Sequence, residues 1–381
     1  MSKLVDDSTS EQFNDIHIDE SLVDQHGQVS LFDDNNWIEF CEEAPDFSIY
    51  SPEEIVEDAI IHYRQEYGTS GFPYRDLPVY ICKQEINKLS AMDGLKGTLT
   101  GYNVADTFHP HRFHASADSK RTPFQSFHSD KYLRMALQKT IRYGTGELPK
   151  GLPPLVNLVA GTQACSNFRP GFACYMYRKF CNQGDVVLDS STGYGGRLVG
   201  FMASKLGGLY IGVDPNKETH EANLKMAKTL GFESAVELYN LPAEDVEVNG
   251  VRNRCDFAFT SPPYFTKEHY AEDDTQSWVR YQTGEAWKEG FLKKMIELQY
   301  EALKPGKFNA INIADVTVGN QVYPLEQWTV ELAQEIGFQY VSKEFYGLSY
   351  FGAARKDRVK RTGDGESNRP AEPVFIFRKG Q

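Results

Sequence analysis

Apolar residues recur at helical spacing after Ser51-Pro52-Glu53-Glu54, at Ile55, Ala59, Ile60 and Tyr63; the Ser cap, first-turn Pro and early acids mark a helix start. Residues 72–155 are interrupted by aromatic, Pro and Gly positions, with short helices expected at Gln84 to Leu89 and Asp130 to Tyr143. From Gly184 the pattern changes to short β-branched runs alternating with amphipathic stretches. Strands are expected at Val186–Asp189, Leu209–Val213, Phe257–Thr260, Phe308–Ile313 and Pro373–Arg378. Helices are expected at Arg197–Leu206, Lys217–Leu230, Glu285–Leu303 and Leu325–Ile336. This alternation predicts an α/β protein with a doubly wound parallel sheet whose ligands sit at the carboxyl ends of the strands.

Composition adds a class and a charge asymmetry. The 381 residues include 40% hydrophobic positions and six Cys, too apolar for a disordered chain and too sparse in cysteine for a disulfide scaffold. The polar residues Met1 to Gln12 do not read as a signal peptide, and no run of about 18 apolar residues occurs, so a cytoplasmic protein with reduced thiols and no membrane partner is expected. Residues 1–58 hold 17 Asp and Glu against the single Lys3, so the remainder sums to +3 of a net −13. Residues 1–49 read as an acidic, mobile tail, either solubilising or a mimic of nucleic-acid phosphates. Two basic tracts, Arg112 to Lys150 and Arg355, Lys356, Arg358, Lys360, Arg361, could meet phosphates or be ordinary solvated faces.

Three local motifs carry chemistry. Asp189-Ser-Ser-Thr-Gly193-Tyr194-Gly195-Gly196 follows the first strand and opens a helix, which suits a tight connection or close backbone approach to a ligand. Asp214 ends the second strand, where a carboxylate can hold a ribose diol. Neither G-x-G-x-x-G nor a phosphate-binding Gly-Lys-Ser/Thr is present, which disfavours NAD and nucleoside triphosphates. Finally, Ser261-Pro262-Pro263-Tyr264 lies at the end of a buried strand, where the prolines fix the backbone and remove two N–H donors.

That tetrapeptide resembles the catalytic motif (Asp/Asn/Ser)-Pro-Pro-(Tyr/Phe/Trp) of S-adenosylmethionine-dependent DNA amino-methyltransferases. The resemblance covers about residues 160–381 and implies a Rossmann-like class I methyltransferase domain at 159–381, behind an N-terminal accessory region at 50–158 that is a candidate for target recognition. It implies that Ser261, Pro262, Pro263 and Tyr264 are catalytic, with the Ser261 hydroxyl and Pro262 carbonyl accepting the amine hydrogens and Tyr264 stacking on the base. It further implies S-adenosylmethionine as cofactor, contacted by Phe168, Arg169, Pro170, Asp189, Gly193, Gly195, Asp214 and Asp245. A Ser at the first catalytic position is more typical of cytosine-N4 than of adenine-N6 members. The segment Phe108 to Phe113, Phe-His-Pro-His-Arg-Phe, is similar to bacteriophage-type DNA methylases.

The implied partner is duplex DNA with its target base flipped out, touched by Lys267, His269, Arg355, Lys356 and Arg358. No sizeable segment follows the closing strand, so recognition is expected from residues 50–155, from Phe265 to Gly290, or from the tract near Arg355. No metal is expected: His109, His111, His114 and His128 have no paired Cys beside them. Carbon methylation of cytosine is disfavoured, because no Cys follows a Pro. RNA or protein-amide methylation stays open, since the motif can hold any planar NH₂, as does a non-catalytic nucleic-acid-binding or anti-restriction role.

Overall fold

The computed structural model describes residues 51–117, 120–143, 159, 161–347 and 371–381. Two compact units are present: the described residues of Met1–Pro73 with Pro123–Thr162, and those of Tyr74–Thr122 with Gln163–Gln381. The span 50–158, expected as one accessory region, is therefore divided between the two. Arg355, Lys356, Arg358 and the tail 1–49 lie outside the described residues.

In the smaller unit the helix Pro52–Tyr67 begins with a complete capping box, Glu54 N–H donating to Ser51 Oγ and Ser51 N–H to Glu54 Oε2. Its buried Ile55, Val56, Ala59, Ile60 and Tyr63 form the stripe that the spacing predicts. Tyr63 meets Phe127 edge-on, and Arg64 bonds Asp130 at the start of the helix Asp130–Tyr143.

The larger unit is built on seven strands: β1 (Val186–Asp189), β2 (Leu209–Val213), β3 (Val236–Tyr239), β4 (Cys255–Thr260), β5 (Leu303–Asn312), β6 (Phe338–Gly347) and β7 (Ala371–Lys379). Their order is β6-β7-β5-β4-β1-β2-β3, with β7 antiparallel to both neighbours and the remaining pairings parallel. This is a Rossmann-like, doubly wound sheet. The order reverses between β1 and β4, so their carboxyl ends frame the crevice where such sheets bind ligands.

Helices cover both faces. On one, Phe172, Met176, Leu198, Val199 and Met202 pack on Val187, Phe257 and Phe259, joined by Cys82, Ile86, Leu89, Val104 and Phe108 from 74–117. On the other, Met295, Ile296, Leu332 and Ala333 pack on Leu188, Ala258 and Ile311. Among the described residues no helix is long and apolar enough to cross a membrane.

Candidate active site

A buried polar layer lies beneath the crevice and fixes its floor. Asp189 is fully buried and accepts from Arg197 Nε (2.7 Å), Tyr210 Oη (2.6 Å), Thr260 Oγ1 (3.0 Å) and Ser191 N (3.2 Å). Asp189, expected to contact the cofactor, lies just beneath the cleft lining, where its carboxylate ties β1, β2 and β4 to the glycine loop. Burial disfavours a lone charge, and the facing guanidinium with three further donors offsets that cost. Beside it, Gln299 donates to Ser190 Oγ and accepts from Asn309 Nδ2, both at 2.8 Å.

The loop after β1 is shaped by glycines and held by side chains from a distance. Gly193 and Gly195 have φ of +57° and +76°, a region that favours glycine. A Cβ on Gly196 would lie 2.0 Å from the Phe168 carbonyl oxygen, so the loop and the segment Ser166–Pro170 touch backbone to backbone. Asn167 fastens the two, donating to the Tyr194 carbonyl at 2.9 Å and accepting from Gly196 N–H at 3.2 Å. Gly193 N–H donates to Asp214 Oδ2 at 2.8 Å, and Asn216 N–H to Oδ1 at 3.0 Å.

The resulting cleft places Phe168, Gly193, Asp214, Ser261, Pro263 and Tyr264 along one lining. Three widely separated sequence motifs therefore meet. Arg169 and Pro170 sit just behind Phe168, Pro170 opening the helix Pro170–Phe180, and Gly195 is packed against Asn223, Met226 and His109; none of the three lines the cleft. Pro262 is buried between its cleft-lining neighbours.

One residue shifts by a single position. Asp245 is half-exposed and paired with Arg280 at 2.8 Å, whereas Glu244 lines the cleft with its side chain 4% exposed. Glu244 Oε1 faces Arg280 at 3.3 Å, and Oε2 is buried with no hydrogen-bond partner. Burial raises the Glu244 pKa. Of the two adjacent acids, Glu244 faces the cleft, and Asp245, the one expected to contact the cofactor, lies outside its lining.

At the other end of the cleft stand residues with no motif to announce them: Glu268, Tyr270, Asn312 and Glu372. Tyr264 Oη donates to Glu372 at 3.0 Å, and Ser261 Oγ to Asn312 Oδ1 at 3.2 Å. Burial, reinforced by Glu372, pushes Glu268 up to about 7 against hydrogen bonds from Tyr270 and Tyr264 N–H. Phe265, directly after the tetrapeptide, has φ +53° and is held by Tyr323 and Trp287 at ring distances of 4.8 and 6.0 Å. The helical run Gly284–Ala302 contains a π-helical turn at Lys288–Leu292 that sets Phe291 in the cleft wall.

Of the expected nucleic-acid contacts, Lys267 is buried and His269 stacks flat on Trp278 at 4.2 Å; it is Trp278, not either of these, that lines the cleft. His109 and His111 pack against Tyr194, and burial lowers them to about 3 and about 4, so both are neutral at physiological pH. Among the described residues no group of three or more His, Cys, Asp or Glu is placed to hold a metal ion.

No protein-family model and no curated protein matches this chain. Among solved structures, similar folds include geranyl diphosphate methyltransferase in complex with SAM (12% identity, TM-score 0.38, 56% of this chain and 84% of that one). Others are the [4+2]-cyclase SpnF (13%, TM-score 0.38, 55% and 81%) and 1,6-didemethyltoxoflavin-N1-methyltransferase from Burkholderia thailandensis (16%, TM-score 0.35, 55% and 77%). Their activities differ, and likeness at this level assigns none of them to this chain.

Burial also raises Asp214, to about 6, against hydrogen bonds from Asn216 and Gly193 N–H. An acid raised on folding stabilises the fold fully below its unfolded pKa, and that contribution is lost as pH rises through the folded value. The ligand-free protein is therefore expected to lose thermal stability between about pH 4 and pH 7 from Asp214 and Glu268. Melting temperatures across that range should show a shallower decline in Asp214→Asn and Glu268→Gln; slopes equal to wild type would exclude these two groups as the source.

Proposed function

We propose that this protein is a DNA methyltransferase that moves a methyl group from S-adenosylmethionine to the exocyclic amine of a flipped base, with cytosine N4 favoured over adenine N6. The observation that carries the reading is the meeting of Ser261-Pro-Pro-Tyr264 with the glycine loop, Asp214 and Glu244 in one cleft at the point where strand order reverses. The residues present fit the cofactor: Asp214 offers a carboxylate to a diol, the orphan Glu244 Oε2 offers an acceptor to an amino group, and the glycine turn admits close approach. When bound, the cofactor supplies an electrophilic methyl group on a sulfonium.

The acceptor end supports an amine as the methylated group. It presents the oxygens of Ser261, Glu268 and Glu372, which can accept hydrogen bonds from an amine. A base amine is a weak nucleophile because its lone pair is delocalised into the ring. Holding its two hydrogens on Ser261 Oγ and the Pro262 carbonyl draws the nitrogen toward tetrahedral geometry, and the rigid prolines keep those acceptors in place. The chain's contribution is chiefly position, with the proton leaving to solvent after transfer.

The test is to incubate the protein with methyl-labelled S-adenosylmethionine and unmodified genomic DNA, digest to nucleosides and identify the labelled one by mass spectrometry. Label on the cytosine amine is expected. Label on the adenine amine keeps the mechanism and changes the base, while label only on RNA or peptide, or on nothing, rejects the DNA reading.

A further inference from the structure

Hydrogen-bond direction at the acceptor end is fixed by two groups that can only accept. Asn312 sits at the carboxyl end of β5, 1% exposed, with its backbone paired to Val374 on β7. Its Nδ2 donates to the Pro373 carbonyl at 3.0 Å, and a carbonyl accepts only, so the orientation of the amide is determined. The other side of the amide, Oδ1, then faces Ser261 Oγ at 3.2 Å. An amide oxygen also accepts only, so Ser261 must give its single hydrogen to Asn312. Tyr264 directs its own hydrogen away from Ser261, to Glu372 Oε2 at 3.0 Å. The bond to Asn312 draws the Ser261 hydrogen inward and leaves lone pairs of Oγ for the cleft, which Ser261 lines.

We propose that Asn312 is a positioning residue that locks Ser261 as a hydrogen-bond acceptor, so that the cleft takes a ring bearing NH₂ and rejects the same ring bearing a carbonyl in its place. The inference rests on the amine-methylation reading above. A free serine hydroxyl rotates to donate or accept as its partner requires and would tolerate both groups. Locked by Asn312, it meets a carbonyl oxygen with its own lone pairs and offers it no hydrogen. The lock thereby discriminates a base from its deamination product.

The experiment measures binding, not turnover. Short duplexes carry the methylated site, located by sequencing enzyme-treated genomic DNA for the modified base, with that base either intact or replaced by its deaminated, carbonyl-bearing counterpart. Dissociation constants are measured with S-adenosylhomocysteine present, for wild type, Ser261→Ala, Asn312→Leu, Asn312→Asp and the Ser261→Ala/Asn312→Leu pair. Wild type should prefer the amine duplex by roughly tenfold or more. Asn312→Leu, which frees the hydroxyl to rotate, should bring the two affinities together, as should Ser261→Ala, with no further change in the pair. Asn312→Asp keeps an acceptor at the same place and should keep the preference. A folded Asn312→Leu that retains the wild-type preference while Ser261→Ala loses it overturns the role of Asn312 and leaves the proposed function standing. If Asn312→Leu shows no thermal unfolding transition, Asn312→Asp decides: collapse of its preference overturns the inference. Full methylation of DNA by Ser261→Ala would instead reject the reading of Ser261 on which all of this depends.

Discussion

Ser261→Ala is expected to lower kcat by roughly 100-fold, the scale seen when one preorganised polar contact to a reacting group is removed. The substitution deletes a hydroxyl that lines the cleft and bonds Asn312, and removes no group that faces Asp214 or Glu244. Cofactor affinity by calorimetry should therefore match wild type while single-turnover methylation falls. The split separates two kinds of damage. Loss of both together would mean that the change has spread through β4 to the glycine loop. Retention of both would mean that Ser261 is not the acceptor of the amine hydrogen.

A second large effect is expected below the cleft. Arg197→Met should destabilise the protein by about 3–5 kcal/mol, because it strips the cation from a buried carboxylate without removing the carboxylate itself. Arg197 and Asp189 are 4% and 0% exposed and meet at 2.7 Å, so solvent does little to stabilise the orphaned charge. Tyr210 and Thr260 would still donate to Asp189, yet neither supplies charge. Met keeps most of the length of the side chain, which limits the cavity contribution. Urea unfolding measures the shift. A change below about 1 kcal/mol would class the pair with exposed ion pairs and refute the account of Asp189 as the anchor of the floor.

The sheet was legible where flanking turns were sharp. β1, β2 and the helices at 217–230 and 325–336 match the sequence expectation residue for residue, because Gly231 and Gly337 end the helices and β-branched residues fill the two strands. β3 was missed because Val236–Tyr239 is only half-buried and carries Glu237 in its middle. β6 was missed for a related reason: as an edge strand it exposes Gln339, Tyr340 and Val341, so apolar alternation is blurred by solvent-facing positions. The early start of β5 was hidden by Pro305-Gly306, which reads as a turn and lies inside the strand, where Cys255 pairs with Leu303 before a register shift.

At the site, chemistry written in short contiguous motifs could be read and chemistry assembled by topology could not. Ser261, Asp214 and Gly193 each stand in a local pattern at a strand end. Asn312 and Glu372 stand in none; they meet Ser261 and Tyr264 because β7 inserts beside β5. Asp245 and Glu244 are adjacent acids, and only burial distinguishes the one that turns inward.

Phe265 gives the acceptor loop a dependence on residues remote from the chemistry. A left-handed torsion at a bulky aromatic costs about 1–3 kcal/mol and persists only where the surroundings hold it. Here the hold is hydrophobic, from Trp287 and Tyr323, neither of which lines the cleft. Variation at positions 287 and 323 is consequently not free to drift as ordinary core variation does. A smaller residue at either would let the backbone after Tyr264 relax toward negative φ, and natural variants there should change turnover before they change folding.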